Sequence, residues 1–154
     1  MILACGEALI DMLPRESTKG EAAFAPYPGG AVFNTAIGLG RLGIETQFLC
    51  GMSSDFLGDI LRDGLDAAGV DHSPSPKLVA PCTVAFVKLV DGQATYAFYD
   101  ENSAMRTLTV APAIDANALF FGGISLVGDG CGDTFEALML REAPARVTMI
   151  DPNI

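Results

Sequence analysis

The segment Gly29-Gly30-Ala-Val-Phe-Asn34-Thr-Ala-Ile-Gly-Leu-Gly-Arg-Leu-Gly43, followed closely by Thr46-Gln-Phe-Leu-Cys50, decides the fold class. Two glycines open it. Apolar residues recur at Phe33, Ala36 and Ile37 and, with looser spacing, at Leu39 and Leu42, and Gly43 closes it, as in an amphipathic helix. The run after it predicts a strand. Upstream, Met1-Ile-Leu-Ala-Cys-Gly6 is short and apolar and continues through Glu7-Ala-Leu-Ile-Asp11, which predicts a strand ending near a carboxylate. Downstream, Phe56, Leu57, Ile60, Leu61 and Leu65 recur at helical spacing before Gly69 closes a second helix. Strand, helix, strand and helix in alternation imply an α/β fold with a parallel sheet flanked by helices.

The alternation then breaks. Thr83-Val-Ala-Phe-Val-Lys-Leu-Val90 and Gln93-Ala-Thr-Tyr-Ala-Phe-Tyr99 are β-rich runs about Asp91-Gly92, which predicts a hairpin foreign to a purely parallel sheet. Residues 15–28 are more polar and end in two prolines, and the hairpin could pair with them as a small β subdomain. Leu119-Phe-Phe-Gly, a helix near Asp133 to Arg141 and a buried strand at Arg146-Val-Thr-Met-Ile150 then restore the alternation. Asp151-Pro-Asn153 follows, at the carboxyl end of a strand, where open α/β sheets bind ligands. A chain that stops there reads as the front portion of a larger domain.

Composition narrows the function classes. The 154 residues carry 9 Lys+Arg against 19 Asp+Glu, a net charge of −10, so nucleic acid and anionic membranes are poor partners. Half of the residues are hydrophobic, enough to bury a core. No apolar stretch approaches the roughly 20 residues that span a bilayer, and no export leader is visible. Cys5, Cys50, Cys82 and Cys131 lack the spacing of a zinc site or a disulfide framework, and buried free thiols suit a cytoplasmic protein.

The candidate residues have two readings each. Gly29-Gly30 is either an ordinary tight turn or a place where backbone approaches a ligand, with Asn34 beside the exposed amides of a helix start. Asp11 is either a surface carboxylate or a hydroxyl-binding group. Gly128-Asp-Gly-Cys-Gly132-Asp133-Thr134-Phe135 could form an anion hole with a base, or a helix start capped by Asp133 or Thr134. His72 lies in a Ser/Pro-rich loop with no nucleophile pattern around it and reads as a solvated loop histidine. The dispersed acidic residues give no metal-ligand spacing, and no metal site is expected from the protein's own side chains.

Taken together, Gly6-Glu7-Ala-Leu-Ile-Asp11, the segment from Gly29 to Gly43, Gly51-Met-Ser-Ser-Asp55-Phe-Leu-Gly58 and Asp151-Pro-Asn153 resemble the ribokinase/PfkB carbohydrate kinases, most of all the bacterial fructokinases. The order and spacing cover nearly the whole chain. Val32 and Ser53 depart from the family pattern, which has a small residue or proline at the first place and glycine at the second.

The resemblance implies a ribokinase-like parallel sheet with a small β lid, residues 1–154 forming the front half and the lid lying near 12–28 and 82–100. It implies ATP-dependent phosphorylation of a sugar hydroxyl. Asp11 and Asn34 would bind hydroxyls, the Gly29-Gly30 backbone would let the sugar lie close, Phe98 would wall the pocket, and Arg106 is a further candidate. Asp151 and Asn153 would lie at the phosphate end of the sheet. Mg²⁺ would accompany ATP, and the family admits a monovalent cation such as K⁺. A homodimer would form through the lid. The related 2-keto-3-deoxygluconate kinases carry Tyr-Tyr-Arg where this chain has Phe98-Tyr99-Asp100, so Asp100 would repel a sugar carboxylate and a neutral sugar such as fructose is expected. The family's catalytic G-A-G-D stretch follows D-P-N at a distance, so no catalytic residue is expected within this chain, nor the ATP pocket. Asp133 precedes Asp151, which favours the cap reading there. A chain complete at 154 residues would instead be a non-catalytic sugar-binding or assembly module.

Overall fold

A computed structural model describes residues 1–90, 93–109 and 111–152; the expected turn at Asp91-Gly92 and the site candidate Asn153 lie outside the described residues. In chain order the elements are β1 (Ile2–Cys5), β2 (Leu9–Glu16), β3 (Ala22–Gly29), α1 (Ala31–Arg41), β4 (Thr46–Leu49), β5 (Met52–Ser53), α2 (Phe56–Ala67) and β6 (Lys77–Leu78). They continue with β7 (Val84–Val90), β8 (Gln93–Tyr99), β9 (Ala118–Gly122), a 3₁₀ turn at Ile124–Val127, α3 (Cys131–Glu142) and β10 (Val147–Asp151).

The N-terminal apolar run is two strands. Leu3, Ala4 and Cys5 are fully buried in β1, which pairs in parallel with β4 on one side and β9 on the other. β10 extends the parallel sheet to the order β10-β9-β1-β4. The chain leaves this sheet at Gly6, and β2 enters a second sheet ordered β3-β2-β7-β8, so Asp11 lies within a strand of the lid rather than at the end of a core strand. Periodicity did not show the break because both strands are apolar there. Gly6 marks it: a Cβ would fall 2.3 Å from Cγ2 of Val32, so α1 packs on the sheet only over a bare backbone. The same gap accommodates the unusual bulk of Val32.

Alternate residues of a strand face opposite sides of its sheet. Phe121 of β9 meets Phe135 of α3, their rings 6.3 Å apart, whereas Phe120, Val147 and Met149 share a hollow with Thr35 and Leu39 of α1. Helices α1 and α3 therefore cover opposite faces. The lid sheet joins the expected hairpin to the segment before α1: β7 pairs antiparallel with β8 and in parallel with β2. Phe86 anchors it through edge-on contacts with Phe24 and Tyr99.

Two further expectations fail. The strand at β10 is not buried; Val147, Met149 and Ile150 are all at least half exposed, because no described element lies beyond it. The start of α3 is not capped by Asp133 or Thr134. Gly130 occupies the cap at φ 80° with no side-chain bond, and the Thr134 hydroxyl faces the other way, donating to the carbonyls of Gly130 and Leu108 at 2.9 Å. Ser53, the other departure from the family pattern, is well used: its hydroxyl donates to Ala80 O at 2.6 Å and accepts from Asp55 N.

Candidate functional site

In the main sheet the chain passes from β1 to β4 on one side and later to β9 on the other, so the strand order reverses between β1 and β9. Open parallel sheets bind ligands outside the carboxyl ends of the strands at such a reversal. A hollow of about 280 Å³ lies there. Glu7 beyond β1, Ile124 beyond β9, and Gly30, Ala31 and Asn34 at the start of α1 line it from below. Leu9 and Asp11 of β2 and Tyr96 and Phe98 of β8 line it from the lid.

Asp11, Gly30, Asn34 and Phe98, four of the residues singled out from sequence, thus come together from three separate segments. Gly29 stands directly behind Asp11, where an ideal Cβ would lie 2.3 Å from the Asp11 carboxylate. Burial raises the pKa of Asp11 above the ordinary value of 3.8, and neither its carboxylate nor the side-chain amide of Asn34 has a hydrogen-bond partner among the described residues. Both polar groups are available to a ligand. Gly30 adopts φ 113°, and a Cβ there would meet the Glu7 carbonyl at 2.7 Å. This position tolerates only glycine.

Arg106 does not line the hollow. Its guanidinium pairs with Asp100, Nε donating to Oδ2 at 2.8 Å, beside a separate depression lined by Thr107 and Gly128. Burial is the largest single influence and works against the charged form of Arg106, but the hydrogen bond and charge of Asp100, with Cys131 adding to them, together outweigh it and raise the pKa. Asp100 accordingly turns its charge toward Arg106, which removes the basis for excluding a sugar acid through Asp100. The lining of the hollow carries two carboxylates, Glu7 and Asp11, and among the described residues no Lys or Arg. Asp151 ends β10, where its carbonyl accepts from Gly123 N at 3.1 Å.

Sequence reading passed over Glu7. It is 2% exposed, and its Oε1 accepts from the amides of Ala31 at 2.7 Å and Val32 at 3.2 Å, so the first amides of α1 are already occupied. The expectation of open helix-start amides beside Asn34 is corrected accordingly. An acid inside a buried apolar run needs a partner, and that was the available signal.

Larger hollows lie elsewhere and are polar in part, one of about 700 Å³ being lined by Asp100, Asn102, Arg106 and Asp129. Another of about 400 Å³ lies between α3 and β10, with Leu126, Phe135, Met139 and Ile150 in its wall. His72 pairs with Asp66 at 3.1 Å on a loop, and all four cysteines are unpaired and buried. Among the described residues no group of three or more His, Cys, Asp or Glu is placed to hold a metal, and no helix is long and apolar enough to cross a membrane.

A family model for pfkB family carbohydrate kinases matches residues 1–154. The chain belongs to this family. It is 60% identical to a fructokinase of Rhizobium leguminosarum bv. trifolii over its whole length, covering 48% of that protein, and 34% identical to fructokinase-1 of Oryza sativa subsp. japonica, covering 51%. The crystal structure of a fructokinase with bound ATP from Xylella fastidiosa superposes with a TM-score of 0.90 at 30% identity, over 99% of this chain and 51% of that one. This pfkB family chain spans about half the length of the relatives it matches.

Proposed function

We propose that this chain is the sugar-binding portion of an ATP-dependent kinase that phosphorylates a hydroxyl of fructose. The observation that carries the reading is the convergence of Asp11, Gly30, Asn34 and Phe98 on one hollow at the reversal point of a parallel sheet. Similarity to fructokinases, and to one solved with ATP, supports the substrate and the phosphoryl donor.

In this reading Asp11 accepts hydrogen bonds from sugar hydroxyls and Asn34 donates to or accepts from another. The bare Gly30 backbone lets the ring approach. Phe98 and Tyr96, stacked with centroids 5.7 Å apart, pack on its apolar edge and keep out water, which competes with the sugar for the phosphoryl group. Arg106 serves from a distance, its pair with Asp100 fixing the chain just beyond β8. ATP brings the γ-phosphoryl group together with Mg²⁺, whose charge compensates the phosphates. Catalysis by positioning and charge stabilisation fits a fold half that binds and orients the acceptor while the base and the ATP pocket belong to a following portion. The half-exposed aromatic residues of the lid, Phe24, Tyr27, Tyr96 and Tyr99, fit a lid-to-lid homodimer, and four free thiols fit a reducing cytoplasm.

The test uses protein expressed from its complete reading frame. Fructose-dependent ADP formation should be lost or weakened by Asp11→Ala and Asn34→Ala with ATP affinity retained. Fructose binding without ADP formation would mark a binding module instead, and equal loss of sugar and ATP affinity in folded variants would remove these residues from the sugar site.

A further inference from the structure

A helix start is ordinarily capped by the side chain that precedes it, and here that side chain is missing. Gly30 cannot carry one, because its φ of 113° and the Glu7 carbonyl 2.7 Å from an ideal Cβ forbid it. The cap arrives instead from 24 residues upstream, as Oε1 of Glu7. Glu7 forms no ion pair among the described residues, so the amides and the positive end of α1 balance a carboxylate that is only 2% exposed.

The second oxygen is the more informative. Oε2 is buried without a hydrogen-bond partner, and the whole carboxylate is pressed on Gly123, where a Cβ would fall 2.0 Å from Oε2 and 2.1 Å from Oε1. Leaving a buried carboxylate oxygen unsatisfied is costly, and a simple cap would not require it. One side chain therefore spans the three backbones that floor the hollow: the link after β1, the start of α1 and the turn after β9. Asn34 is tied to the same point, since its backbone N–H donates to the Gly30 carbonyl at 2.9 Å.

We propose that Glu7 is a positioning residue of the sugar site, fixing the Gly30 backbone and the first turn of α1 against the end of β9 and thereby setting where Gly30 and Asn34 meet the sugar. The proposal rests on the sugar-binding reading above. Glu7 touches no reacting atom in this scheme; it acts through the backbone it holds.

Steady-state kinetics on protein expressed from its complete reading frame, with D-fructose and Mg·ATP varied in turn, tests it. Glu7→Ala should raise the KM for fructose by about tenfold or more while the KM for ATP stays within about twofold. Glu7→Gln, which keeps an acceptor for both amides, should restore the fructose KM to within about threefold of the unsubstituted protein. Gly123→Ala, which drives a methyl group into the Glu7 carboxylate, should reproduce the selective loss with Glu7 intact, and it carries the test if Glu7→Ala does not fold. Equal rises in both KM values, or an unchanged fructose KM in either folded variant, would overturn the proposal. Failure of the unsubstituted protein to bind or phosphorylate fructose is a separate result, which overturns the sugar reading itself and this proposal with it.

Discussion

Gly29 of β3 and Asp11 of β2 are in direct contact: a methyl group on Gly29 would lie 2.3 Å from Oδ2 of Asp11 and 3.1 Å from its Cγ. The obstacle is the end of a flexible side chain, so Gly29→Ala should fold and turn the Asp11 carboxylate aside. The expected result is a fall in fructose affinity of about tenfold with little change in melting temperature, because one charge-assisted hydrogen bond to a hydroxyl is lost. Isothermal titration with fructose and a thermal melt check both halves. Unchanged affinity in the folded variant would mean that Asp11 does not hold the sugar.

Burial places the Asp11 pKa above its ordinary value of 3.8 in the ligand-free protein. A sugar whose hydroxyls donate to the carboxylate binds the ionised form, so affinity is full above that raised pKa and falls as pH drops through it. Fructose affinity should therefore begin to fail at a higher pH than an ordinary aspartate would allow, and Asp11→Asn should remove that limb of the profile. A profile of fructose KM against pH that is the same in the two proteins would assign the limb elsewhere.

The alternation of strands and helices was legible because α1 and α2 carry apolar residues at helical spacing and end in Gly43 and Gly69, both at positive φ. The β7–β8 hairpin was legible from its composition. What sequence periodicity could not show was the change of sheet at Gly6, since Leu9 and Ile10 are as buried as Leu3 and Ala4 and only the partner strand differs. Asp11, Gly30, Asn34 and Phe98 were found through the family's motifs, not from spacing. Arg106 is a sugar-site candidate only through the resemblance to the family. Its partner, Asp100, lies six residues away on the far side of a turn at Asn102, which takes φ 54°, and no local pattern announces that fold-back.

Asp55 ties the start of α2 to the strand that enters the lid. Its Oδ1 accepts from Gly58 N at 2.9 Å and its Oδ2 from Cys82 N at 3.1 Å. Burial would raise its pKa, but these bonds outweigh that and lower it below 3.8. The depressed value makes its stabilisation present above the unfolded-state pKa of about 3.9 and lost as pH falls through the folded-state value. Asp55→Ala should cost about 2 kcal/mol near neutral pH and less in acid, where the parent has already lost the tie. Urea unfolding at several pH values measures it; a penalty constant down to strongly acidic conditions would rule out the carboxylate as its source.

Asp100 and Arg106 offer the last test because each protects the other from an uncompensated charge. Their side chains are 25% and 24% exposed, and the guanidinium presents both Nε and Nη2 to one carboxylate oxygen. Removing either partner leaves the other partly desolvated, so Asp100→Ala and Arg106→Ala should each destabilise by about 1–3 kcal/mol. Removing both should cost less than the sum, with a coupling of about 1 kcal/mol or more in a denaturant-based double-mutant cycle. Arg106→Lys should recover only part of the loss, since an ammonium cannot match the two-pronged contact. Because the pair sits just after β8, the single variants should also loosen Phe98 and raise the fructose KM, though by less than Asp11→Ala does. A coupling near zero would show the two side chains to be independent and would leave Arg106 without a role in holding the lid.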